Sequence, residues 1–171
     1  MMIAPDEIEK RAQQKENENY AFRTYLKMHA APSELDEQFH KLHEELFSSY
    51  DCSRCRNCCK MYCGILPEED VEKAANHLLI SKESLIEQYL EYDPMENAYV
   101  TRNCPCDFLK ENGDCMLGDN KPENCRKYPY TDQPDRMGSL LSIVESAGVC
   151  PVVYEMLERL KEEYHFRQGN R

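Results

Sequence analysis

Cysteine is the residue type here with the most chemistry to offer. The chain of 171 residues holds ten of them, and four fall within Cys52-x2-Cys55-x2-Cys58-Cys59. Two-residue spacers let successive thiolates fold back onto one metal ion or one face of a cluster. The adjacent pair behaves differently. Neighbouring side chains point apart, so Cys58 and Cys59 are expected to feed two sites, or one to bridge two metals, or one to stand aside. The second half supplies Cys106, Cys115, Cys125 and Cys150, each at a turn or a helix start. A thiolate at a helix N-terminus is favoured by the dipole, which suits Cys150 ahead of Pro151. Four and four are enough for two closed four-thiolate sites. The cations Arg54, Arg56 and Lys60 interleave with the first group, and Lys121, Arg126 and Lys127 flank Cys125, placed to offset thiolate charge.

Other readings of these cysteines explain less. Buried, unliganded cysteines account for one or two positions, not for a cluster in a polar loop. A redox pair at Cys52 and Cys55 lacks the strand–helix context that such a motif requires. Histidines add little: His40 and His43 lie one turn apart, but a solvated helix face explains them, and His29, His77 and His165 are isolated. Glu68-Glu69-Asp70 and Glu162-Glu163 read as helix-surface charge. Arg126, Tyr128 and Tyr130 read as packing around the metal before a pocket for an anion. No nucleophile–base pair emerges.

The elements that must position these thiols are mostly helical. A helix is expected over 5–28, opened by Pro5, with an apolar face so weak (Ile8, Ala12, Phe22, Tyr25, Leu26) that it needs a partner. Ser33 and Asp36 resemble a capping box for a second helix reaching about Tyr50, with Leu35, Phe39, Leu42 and Leu46 on one side. The stretch 52–63 is expected to be irregular. Pro67-Glu68-Glu69-Asp70 starts a helix burying Val71, Ala74, Ala75 and Leu78, and Ser81 caps another carrying Leu85, Ile86, Tyr89 and Leu90 until Asp93-Pro94 stops it. Residues 98–101 suggest a short strand. Residues 103–136, rich in Pro and Gly, are expected to be loop, long enough to need something to hold it. Helices resume at about 138–147 and from Pro151, where Val153, Met156, Leu157, Leu160 and Tyr164 form a stripe. The expected division is an N-terminal helical arm at 1–50 and a small, irregular, metal-stabilised cysteine-cluster domain at 51–167.

Lys and Arg number 21 against 32 Asp and Glu, a net charge of -11. That balance opposes nucleic acid and anionic membrane surfaces. Mean hydropathy is -0.78. No stretch is apolar for the roughly 20 residues a span needs, and the N-terminus has no apolar signal core. The expectation is a cytoplasmic, reducing setting, in which ten cysteines are metal ligands before disulfides.

These motifs resemble the CxxCxxCC cysteine-cluster proteins, a family described as chelating zinc or iron, over about residues 50–165. The family's opening motif stands here as Cys52-Ser-Arg-Cys55-Arg-Asn-Cys58-Cys59. Its Cys-Pro-Phe-Leu element stands as Cys106-Asp-Phe-Leu109, and its Cys-x-Ile-Tyr element as Cys115-Met-Leu-Gly118. Its Arg-Pro-x-x-Cys-Arg-x-Tyr-Pro signature is Lys121-Pro-Glu-Asn-Cys125-Arg-Lys-Tyr-Pro129, and its closing Cys-Pro is Cys150-Pro151. Asp107, Leu117-Gly118 and Lys121 depart from the pattern without removing a thiolate. Cys63 and Cys104 fall outside it and rank as second-choice ligands. The resemblance implies chelation of zinc or iron and little about activity; the leading reading is a binding module in which zinc or an iron–sulfur cluster organises the fold and a surface for a protein partner. The alternative is an iron–sulfur enzyme or electron carrier, acting in protein or peptide modification, since flagellin lysine methylase carries a related cluster. No glycine-rich nucleotide loop accompanies it here.

Overall fold

The apolar spacing that predicts helices is realised almost element for element in a computed structural model, which describes residues 2–169. In chain order the helices are α1 (Ile8–His29), α2 (Pro32–Phe47), the single turns α3 (Cys52–Cys55) and α4 (Asn57–Met61), α5 (Glu68–Leu78), α6 (Lys82–Tyr89), the short α7 (Glu123–Lys127), α8 (Leu140–Ser146) and α9 (Pro151–Glu163). Three strands interleave: β1 (Ile65–Leu66) before α5, and β2 (Leu90–Asp93) and β3 (Ala98–Thr101) after α6. The chain is mostly α, with one small sheet.

Contacts divide the chain into two compact units that do not follow the expected 1–50 and 51–167 division. One unit joins the chain up to Asp51 with the chain from Pro129, and the other is Cys52–Tyr128. The reason is apolar. The weak face of α1 does need a partner, and α8 and α9 supply it, while α2 packs on α9. Phe22 and Leu26 from α1, Leu35 and Phe39 from α2, Leu140 from α8, and Met156 and Leu157 from α9 are all essentially inaccessible to solvent. The N-terminal helices α1 and α2 thus share a four-helix core with α8 and α9.

The expected capping box is absent. Pro32 takes the first helical position of α2, and no side chain caps its N-terminus. Asp36 instead turns its carboxylate to the 129–139 loop, accepting from the backbone N–H of Asp135 at 3.0 Å and of Arg136 at 2.7 Å. Two loop donors on one charged acceptor outweigh a single local cap. Ser81 does cap α6, accepting from Ser84 N at 3.1 Å.

In the second unit the sheet order is β1-β3-β2, all antiparallel. Ile65 faces Val100 and Leu90 faces Thr101. Leu90, expected on a helix, begins a strand instead. α6 ends at Tyr89, and the next four residues pair with Ala98–Thr101 across a turn held by Asp93, whose carboxylate accepts from Met95 N at 2.8 Å. α5 and the sheet enclose a small core of Leu66, Val71, Ala74, Leu85, Leu90, Phe108 and Leu117. Among the described residues no helix is long and apolar enough to cross a membrane.

Candidate metal centre

The first cysteine group is more regular than its composition suggests. Cys52 and Cys55 open and close the single turn α3, and Arg56 then takes a left-handed conformation (φ 54°) that breaks the helix before α4. This kink separates the two turns and sets Cys58 and Cys59 at the start of the second. Arg56 is held there by its guanidinium, whose Nε donates to Gly113 O at 2.6 Å. Lys60 Nζ donates to Cys55 O at 3.2 Å, covering a carbonyl that the end of α3 leaves open.

Cys58 and Cys59 do not point apart as expected. The Cys58 thiol donates a hydrogen bond to Cys59 sulfur, and this bond, with the charges of Arg56 and Lys121, brings the Cys59 thiol down to about 6 against the opposition of burial. The hydrogen bond is the largest cause. The pair thus favours ionisation of one sulfur, with its proton held between the two.

The second group is delivered by backbone contacts to the first. Cys106 N donates to Cys59 O at 2.8 Å, which ties the 103–109 segment to α4. A Cβ at Gly64 would lie 3.3 Å from Thr101 Cγ2, a tight contact, and 3.6 Å from Cys106 Sγ, an ordinary one. Burial raises the Cys106 thiol, opposed by hydrogen bonds from the Phe108 backbone and the Thr101 hydroxyl, with Cys59 and Cys115 adding repulsion. Cys115 is placed by a tight turn in which Lys110 N donates to Asp114 O at 2.8 Å and Leu109 bridges Cys115. Gly113 sits in that turn at φ 88°, where a side chain would be strained.

Cys125 rides on α7, whose start is pinned by a residue read from sequence as surface charge. Asp70 is buried; its carboxylate accepts from Glu123 N at 3.2 Å and from Lys73 Nζ at 3.1 Å. Residue Cys125 as a whole is exposed, yet its sulfur lies against enough protein to be pushed up to about 12, first by desolvation and then by Cys106, Cys59 and Cys115, with Lys121 opposing. Replacing Asp70 by Ala leaves the Glu123 N–H without its acceptor. This is expected to cost the second unit about 1–3 kcal/mol of stability, read as a lower denaturant midpoint, and to hasten metal loss to a chelator, with Asp70→Asn falling between.

Cys106 thus lies within the charge influence of Cys59 and Cys115, and Cys125 within that of all three. Among the described residues, however, no three His, Cys, Asp or Glu side chains are gathered into a group that would hold an ion. The donor set fits a thiophilic metal by its chemistry: sulfur donors, with the positive charges of Arg56 and Lys121 acting on Cys59. Cys52 is exposed and Cys55 is buried. Cys150 belongs to the other unit, as the residue capping α9, half-buried against the helical core. The remaining candidates resolve as structure. His43 Nδ1 meets Thr131 Oγ1 at 2.9 Å while His40 lies near Glu44; Tyr128 packs edge-on against Tyr62; and the Tyr130 carbonyl accepts from Arg136.

The chain is mostly helical, and nine of its ten cysteines lie in the one small unit Cys52–Tyr128. The model of the CxxCxxCC family, described as "Putative zinc- or iron-chelating domain", matches residues 51–151. The chain belongs to this family. No curated protein and no solved structure matches it.

Proposed function

We propose that the chain is a metal-binding protein in which Cys59, Cys106, Cys115 and Cys125 form the principal thiolate set for zinc or an iron–sulfur cluster. What supports this reading is the family match over residues 51–151, together with the Cys106 N to Cys59 O bond at 2.8 Å that joins the first thiol group to the second. Thiols that repel one another when ionised are held together at a cost unless a cation takes up their charge. When bound, the metal supplies a polyvalent charge that closes the unit and, if iron–sulfur, an electron site. Cys52, Cys55 and Cys58 on the adjoining turns complete the ligand set if a second metal is present.

The protein's own residues have definable parts. Arg56 and Lys121 hold the Cys59 thiolate, Thr101 and the Phe108 N–H orient Cys106, and Asp70 fixes the helix of Cys125. A reducing compartment keeps such thiols available, and a net charge of -11 favours a protein partner over nucleic acid. Anaerobic purification, followed by elemental analysis and a visible spectrum, tests the reading. Stoichiometric zinc without colour, or iron with sulfide and visible absorption, is the expected result. Protein that is folded and metal-free, with all ten cysteines alkylating together, overturns it.

A further inference from the structure

Cys63 and Cys104 fall outside the proposed ligand set, yet they are a closely matched pair. Their sulfurs are 2.7 Å apart, and both residues are exposed. The approach follows from strand pairing. Beyond the Ile65–Val100 pair of β1 and β3, Gly64 N donates to Thr101 Oγ1 at 2.9 Å and Thr101 N donates to Gly64 O at 3.0 Å. Cys63 immediately precedes this end of the ladder. On the other side the Asp107 carboxylate accepts from Asn103 N at 3.0 Å and Asn103 Nδ2 at 2.7 Å, a clamp that spans Cys104. Each thiol is therefore held by backbone pairing or a local clamp, and the two meet at the protein surface.

We propose that Cys63 and Cys104 form a thiol–disulfide exchange site, distinct from the metal thiols, whose substrate is a small-molecule disulfide. The thiolate of one cysteine attacks a substrate sulfur, making a mixed disulfide and expelling one substrate thiolate. The second cysteine, as thiolate, attacks the protein sulfur of that mixed disulfide and expels the other. Two protein S–H bonds and the substrate S–S bond are lost; one protein S–S bond and two substrate S–H bonds are formed. The protein is oxidised, the substrate is reduced, and a dithiol reverses the step. Exposure gives a substrate disulfide access to both sulfurs.

The site stands beside the metal reading and does not rest on it. Closure would link the segment following Cys59 to the segment preceding Cys106, whose backbones already meet through the Cys106 N to Cys59 O bond. The proposed ligands therefore keep their places.

The test treats the full-length, metal-loaded protein with oxidised glutathione under anaerobic conditions, then maps thiols by alkylation and mass spectrometry. The expected result is a Cys63–Cys104 linked peptide, formed before Cys59, Cys106, Cys115 or Cys125 reacts, with metal content unchanged and full reversal by a dithiol. Cys63→Ser should accumulate a stable glutathione adduct on Cys104, because the resolving thiol is gone. A first linkage at any other pair overturns the proposal, as do separate, unlinked adducts on both residues of the wild type. The double serine variant, checked for folding by circular dichroism, should keep its metal. Should it lose metal in a folded state, the pair are ligands, and the exchange site is wrong while the metal reading stands.

Discussion

Stripping the metal with a strong chelator is expected to unfold residues 52–128 while leaving the helices of 2–51 and 129–169 in place. The two units differ sharply in apolar content. Among the described residues, the core of α1, α2, α8 and α9 has seventeen fully buried members and the core around α5 and the sheet has eight, two of them alanines. At roughly 1.5–3 kcal/mol for each large side chain, the smaller set cannot offset the ordering of its long 103–128 segment as the larger set does for its helices. A structural metal contributes about 10–16 kcal/mol in small thiolate peptides, enough to decide whether such a unit folds. Hydrogen exchange read by mass spectrometry checks the outcome. Protection should collapse across β1, β3 and α7 after chelation and persist in α2 and α9. Uniform loss of protection would mean that the chain folds as one cooperative unit, and unchanged protection would mean that the thiols do not hold the fold.

The long amphipathic helices were legible because their burial repeats at helical spacing: Leu35, Phe39, Leu42 and Leu46 in α2, and Val153, Met156, Leu157 and Leu160 in α9, are all buried. The family pattern was equally open to reading, since thiol spacing is a local property. What stayed hidden depends on long-range partners. Leu90 has the spacing of a helical residue, and only its pairing with Thr101 makes it a strand residue. Asp70 sits in an acidic first turn that resembles solvated charge; its role comes from Glu123 N, 53 residues away. The Cys63–Cys104 contact likewise spans 41 residues and appears only when β1 meets β3. The assignment of 129–169 to the N-terminal helices follows from which apolar faces match, information that no single helix carries.

The expectation that Cys58 and Cys59 diverge fails for a related reason, and it leads to the sharpest mutational contrast. On a short helical turn, adjacent Cβ vectors do point apart, but a thiol can rotate about χ1 far enough to donate to its neighbour. The argument for two separate sites loses its geometric basis, and the pair becomes a donor, Cys58, and a stabilised thiolate, Cys59. Cys59→Ser is then expected to weaken metal binding by more than ~100-fold, beyond the 10–100-fold typical of removing an outer-sphere partner. Cys58→Ala should fall within that lower range at neutral pH. The sign of the pH dependence separates the roles. Because the folded Cys59 titrates at about 6 against an ordinary 9.0, its contribution is full above 9.0 and is lost as pH falls through about 6. Removing the Cys58 donor raises that lower limit, so Cys58→Ala should release metal at higher pH than the wild type does. Near pH 9 the variant should approach wild-type affinity, since Cys59 then ionises without help. Cys59→Ser should stay weak at every pH. Competition titrations with a chromophoric chelator from pH 6 to 9 would measure both series. A Cys58→Ala defect as deep as that of Cys59→Ser, and flat with pH, would make Cys58 a ligand in its own right and restore a metal site that both members of the pair share.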